Sequence, residues 1–218
     1  MKFPDAAAVR TAAMALFAGK GFSLLSNEAA LVIVEDEDKL PKGDDWYGVI
    51  VSGATKHGWV SVYVDDWADS GLLAKGLSAA LSAPVLEVWV AEDIHWGYTY
   101  YENGSVLDRF ADDPAQVIET PEEATLYVGQ AEVLTPILRS PQAFQQILRE
   151  AQAKAGQFAG EPLDGVAQAV GLPFEHLFTG YDYFFDDDPE DYADDLEQWP
   201  EFRHLAFQTP PGRETLAE

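Results

Sequence analysis

Apolar residues change their spacing along this chain, and each change of period predicts an element. Residues 5–18 set Val9, Met14, Leu16 and Phe17 among alanines, with Pro4 and Asp5 before them and Gly19 and Gly21 after, which predicts a helix. Short strands are expected at 22–25, 30–35, 47–52 and 59–65, separated by a polar loop at 36–45 and a turn at 54–58. The last of them alternates cleanly, with Val60, Val62 and Val64 on one face and Trp59, Ser61 and Tyr63 on the other. Leu72, Leu73, Leu77, Ala80 and Leu81 recur at helical spacing after a capping Ser70, so a helix is expected over 70–82, ended by Pro84. Residues 85–91 predict a strand. Strands at 96–101 and 105–110 are joined through Glu102-Asn103-Gly104, and Asn-Gly is a strong hairpin signal.

Beyond Asp112-Asp113-Pro114 the texture turns helical. Thr120-Pro121-Glu122-Glu123 combines a cap, a proline at the first helical position and acids against the positive end of the helix dipole. Ser140-Pro141 starts another helix, running to about 155. A third covers 163–170, closed by Gly171 with Pro173 just after. This order predicts an α+β fold, an antiparallel sheet with helices packed on one face, followed by a mainly helical C-terminal part. The expected organisation is a sheet domain over 1–113, a helical part with an acidic aromatic segment over 114–208, and a frayed tail over 209–218.

The 218 residues are 47% hydrophobic and 12% aromatic, a globular composition with room for a sizeable core. There is no cysteine, which excludes disulfides, thiolate catalysis and iron–sulfur clusters and suits a reducing cytoplasm, the expected location. The first residues do not read as a signal peptide, and no apolar run approaches the ~20 residues of a membrane helix. Charge changes the picture most. Thirty-eight Asp and Glu stand against thirteen Lys and Arg, a formal net charge of −25. Nucleic acid and anionic membrane are polyanions and are disfavoured; basic proteins and cations are favoured.

The densest acid is interleaved with aromatic rings between Tyr181 and Asp195. Tyr181, Asp182, Tyr183, Phe185, Asp186, Asp187, Asp188, Asp191 and Tyr192 are the candidate partner-binding residues. Rings give rigid contact area and carboxylates meet Lys or Arg in a basic groove. The same texture describes a row of carboxylates imitating phosphates, or a solvated loop whose rings dock on the core. A calcium loop through Asp186, Asp188 and Glu190 lacks its Gly and its distal Glu. A second acidic run, Glu35-Asp36-Glu37-Asp38 before Asp44-Asp45, reads as a solvated loop or a cation site.

Asp65, Asp66, Glu92, Asp93 and His95 stand at predicted strand ends and form the candidate metal set; the same residues also suit polar turns. Neither a G-x-S-x-G elbow nor a phosphate-binding glycine loop is present. Trp89, Trp96, Tyr98, Tyr100 and Tyr101 read as a core or half-exposed sheet face, since base stacking needs the positive charge this chain lacks.

Over residues 5–110 the order of helix, antiparallel strands, helix and strands, with the acidic charge, resembles type III secretion chaperone-like and YbjN-like domains. That resemblance implies dimerisation and the holding of partner segments. Leu77-Ser78-Ala79-Ala80-Leu81, the strand at 85–91, the hairpin at 100–110 and Ala167-Gln168-Ala169-Val170-Gly171-Leu172-Pro173 resemble acidic bacterial proteins that carry no assigned activity. Neither resemblance transfers a functional residue. The expected function is a non-enzymatic, cofactor-free binding module for a basic protein, chaperone-, inhibitor- or immunity-like. The alternatives are a metal-dependent hydrolase using strand-end carboxylates and a DNA-mimic protein.

Overall fold

The computed structural model describes residues 5–29, 41, 46–65, 70–118, 120–178 and 202–211. The fold is α+β, and among the described residues the strands form two antiparallel sheets, one of four strands and one of three. The chain divides into two compact units, one of residues 78–178 and the other of residues 2–77 with 179–218. Among the described residues no helix is long and apolar enough to cross a membrane.

The split unit starts with α1 (Ala6–Gly19), whose N-cap Asp5 accepts the N–H of Ala8 at 2.8 Å. It continues with β1 (Ser23–Ala29), β2 (Trp46–Val51) and β3 (Val62–Val64), then α2 (Ser70–Leu81), which crosses the boundary between the units. The strand expected at 30–35 lies outside the described residues. β3 is shorter than the expected 59–65, and Tyr63 is its buried residue while Val62 and Val64 are half-buried. The sheet is completed from far away in sequence: β7 (Arg203–Gln208) pairs with both β1 and β2, giving the order β1-β7-β2-β3. Val9, Ala13 and Phe17, one turn apart on α1, are fully buried. The ring of Phe17 stacks on Phe207 with centroids 4.2 Å apart and also meets Phe22 and Tyr47. Stacked and edge-on ring pairs of this kind add about 0.5–1.5 kcal/mol beyond area burial.

In the other unit, β4 (Val85–Ala91), β5 (His95–Glu102) and β6 (Ser105–Ala111) form a meander in the order β4-β5-β6. The β5–β6 turn carries Asn103 at φ 51° and Gly104 at φ 76°, as the Asn-Gly signal predicts. The short helices α3 (Pro114–Val117) and α4 (Pro121–Ala124) lead to α5 (Pro141–Ala153), α6 (Gly160–Val170) and α7 (Glu175–Phe178). The caps read from sequence are present: Thr120 Oγ1 accepts the N–H of Glu123 at 3.2 Å, and Ser140 Oγ that of Ala143 at 3.3 Å. Gly171 closes α6 at φ 81°.

Trp96, Tyr98 and Tyr100 alternate along β5 and point to one face of this sheet. There they are buried with Phe110, with Phe144 and Leu148 of α5, and with Leu163 and Val166 of α6. Of the five aromatic residues singled out in the sequence, Trp96, Tyr98, Tyr100 and Tyr101 are buried and Trp89 is half-buried.

Candidate functional site

Register determines which polar groups share the covered face of the three-stranded sheet. Tyr98 pairs with Phe110 and Tyr100 with Asp108, so Asp108, Phe110 and Asp112 form one row on β6 and its continuation. A strand with one wet face puts its carboxylates in water. Here both aspartates are buried, Asp108 at 5% and Asp112 at 4% exposure. A buried carboxylate is tolerated where hydrogen bonds replace its hydration. Asp108 Oδ2 accepts the Tyr98 hydroxyl and the Gln130 N–H, both at 2.8 Å, which pins residue 130 beside the middle of β6. Burial raises the Tyr98 pKa far above the ordinary phenol value, and the facing Asp108 charge raises it further.

Asp112 is served differently. Its Oδ1 accepts the Trp96 N–H at 3.1 Å, and its Oδ2 lies 3.4 Å from Nδ1 of His95. Beside this pair opens a cavity of ≈ 180 Å³, lined by Trp96 and Asp112 from the sheet and by Ile147, Glu150, Lys154, Phe158 and Glu161 from the helical side. Three acidic residues and one lysine are among its lining residues. Lys154 Nζ lies 3.4 Å from Glu161 Oε2, with both side chains at least half exposed. Phe158 is 61% exposed, so the opening joins an aromatic ring to acid. This arrangement suits holding a cation against apolar surface.

The candidate metal set is distributed over both units. Asp65 belongs to the split unit, where its Oδ2 accepts the Gly48 N–H at 3.3 Å and its own N–H is donated to the Gly48 carbonyl. Asp66 lies outside the described residues. Glu92 and Asp93 are exposed in the β4–β5 turn at φ 52° and 60°, and the Asp93 carbonyl accepts the Ala159 N–H at 2.8 Å. His95 meets Asp112, which the sequence reading did not pair with it. Among the described residues no three His, Asp or Glu come together as a metal site requires.

The candidate partner-binding residues Tyr181, Asp182, Tyr183, Phe185, Asp186, Asp187, Asp188, Asp191 and Tyr192 all lie outside the described residues. The buried aspartates and the cavity were missed because an acid within a strand reads as solvent-facing until its register is known. The only signal in the sequence was the spacing of Asp108, Phe110 and Asp112, which places acids on the same strand face as a core ring. No family model, no curated protein and no solved structure matches the chain.

Proposed function

We propose that this protein is a non-enzymatic acidic binding module that engages a basic protein partner. The observation that carries the reading is the charge: 38 acids against 13 bases on 218 residues, a net −25. Such an excess sets up a one-sign field that speeds encounter with a cationic surface and repels polyanions. The field acts over a Debye length of about 8 Å at physiological salt, so the association it drives weakens as salt rises. The acid-and-ring lining of the cavity, with Asp112, Glu150 and Glu161 beside Phe158, supports the same preference for cationic groups.

Affinity capture from an extract of the native cell tests this. The immobilised protein is loaded at low salt and eluted by a salt step, beside a column of an unrelated acidic protein of matched charge. The reading predicts a basic protein retained by this chain, absent from the matched column and released by salt. Identical eluates from the two columns would contradict it.

A further inference from the structure

The split unit carries a cavity of the opposite character. It has a volume of ≈ 330 Å³ and is lined by Arg10, Asn27, Ala29, Phe202 and Arg203. Strand register brings these residues together. Asn27 and Ala29 share one face of β1, and Glu28 between them belongs to the other face. Arg203 pairs with Ala29, and Arg203, Leu205 and Phe207 alternate onto one face of β7. Helix α1 covers that face, with Phe17 stacked on Phe207 and Arg10 about two turns nearer the helix start. Arg203 Nε donates to Asn27 Oδ1 at 3.1 Å, and its Nη2 donates to the Asn27 carbonyl. One edge of the guanidinium is thereby fixed, leaving Nη1 and the second Nη2 hydrogen as donors. Since Asn27 Oδ1 already accepts from Arg203, the other end of its amide offers the Nδ2 donor. Ala29 and Phe202 bring no side-chain acceptor. Among the described residues neither arginine forms an ion pair with an acid.

We infer that this cavity binds a phosphate group, free or carried by a small organic monoester. Two guanidinium groups match the charge of about −1.5 to −2 that a phosphate monoester holds near neutral pH. Arg10, Asn27 and Arg203 supply donors for its terminal oxygens, and paired guanidinium N–H groups fit two oxygens at once. A carboxylate brings less charge and fewer oxygens to the same donors. Like charges lining one opening repel, and a bound dianion replaces that repulsion with attraction. The volume equals that of about eleven liquid waters, so a small organic body fits beside the phosphate. This is a local positive site on an acidic chain, and it does not rest on the basic-partner reading.

Titration of the ¹⁵N-labelled full chain by NMR tests the inference at about pH 7.5, where a monoester is mostly dianionic. Sodium chloride holds the ionic strength constant, so screening of the net charge does not change along the titration. The probes are phenyl phosphate, inorganic phosphate and acetate. The expected result is a saturable shift of the Asn27 side-chain amide with a Kd of about 1 mM for the tighter phosphate, and acetate weaker by about tenfold or more. Tighter binding of phenyl phosphate assigns an organic monoester as the ligand, and equal or tighter binding of inorganic phosphate assigns the free ion. Arg10→Gln should weaken binding about tenfold, and Arg203→Lys, which keeps the charge but loses the paired donors, about threefold or more. Arg203 also ties β7 to β1, so should its variant fail to fold, Arg10→Gln carries the test. Arg149→Gln removes an exposed charge from the other unit and should leave the affinity unchanged. No saturable shift at about 20 mM of either phosphate, acetate binding as tightly, unchanged affinity in Arg10→Gln, or an equal loss in Arg149→Gln overturns the inference.

Discussion

Trp96 and Asp112 hold each other twice: Asp112 Oδ1 accepts the Trp96 N–H, and the Asp112 N–H is donated to the Trp96 carbonyl, both at 3.1 Å. The side-chain bond does the work of a ladder bond where β6 has ended. Asp112→Ala leaves the Trp96 N–H buried without its acceptor and should cost about 1–3 kcal/mol. Asp112→Asn keeps an oxygen at that position and should cost less than Asp112→Ala. Urea unfolding of both variants checks the order; equal losses would show that the carboxylate oxygen does not hold the strand end.

Tyr98 and Asp108 form the second buried clasp. Tyr98→Phe removes the hydroxyl and leaves the carboxylate with the Gln130 N–H, for an expected loss of about 1–3 kcal/mol. Alkaline pH probes the neighbouring ring. Burial, then the Glu102 charge, pushes the Tyr100 phenol up to about 12. An unfolded tyrosine ionises near 10, so the folded state holds the proton more tightly between these values. The contribution of Tyr100 is complete below about pH 10 and is lost as pH rises towards 12. Tyr100→Phe should flatten the fall in unfolding free energy across that window; an unchanged slope would contradict the assignment.

Acid acts through the buried histidines. Burial lowers both His176 and His204 to about 4. Their unfolded value is about 6.5, so their contribution is present above that pH and is lost as pH falls towards 4. Proton NMR should find both imidazoles still neutral at about pH 5.5. A midpoint near 6.5 for either would place that ring in contact with water.

Gly97 sits opposite Trp89 across β4 and β5. A Cβ at this position would run into the Trp89 ring and the Phe110 carbonyl. One of those obstacles is backbone and cannot swing aside. Gly97→Ala should therefore cost about 3 kcal/mol, the upper end of overpacking penalties, in chemical denaturation. A loss under about 1 kcal/mol would mean that the indole moves away freely.

Local signals were legible in the sequence where the chemistry is local. Thr120 and Ser140 cap helices, Asn103-Gly104 turns the hairpin, and Gly171 ends α6, because each needs only its own neighbours. β7 was not legible. Residues 203–208 were read as part of the helical stretch, yet they sit between β1 and β2, buried on both faces, so no alternation marks them. A pairing across about 175 residues leaves no periodic trace in a single sequence. Asp108 and Asp112 were hidden for a related reason. Their burial depends on the β5–β6 register and on helices that arrive later in the chain. His95 was singled out with the strand-end acids, but its partner Asp112 is brought to it by that same register.

The association of this chain with the proposed basic partner, followed as the rate constant against ionic strength, tests the central claim most directly. An association driven by the −25 charge should slow by about tenfold or more between roughly 20 mM and 300 mM salt, while dissociation changes less. An association rate that stays constant into molar salt would contradict the account.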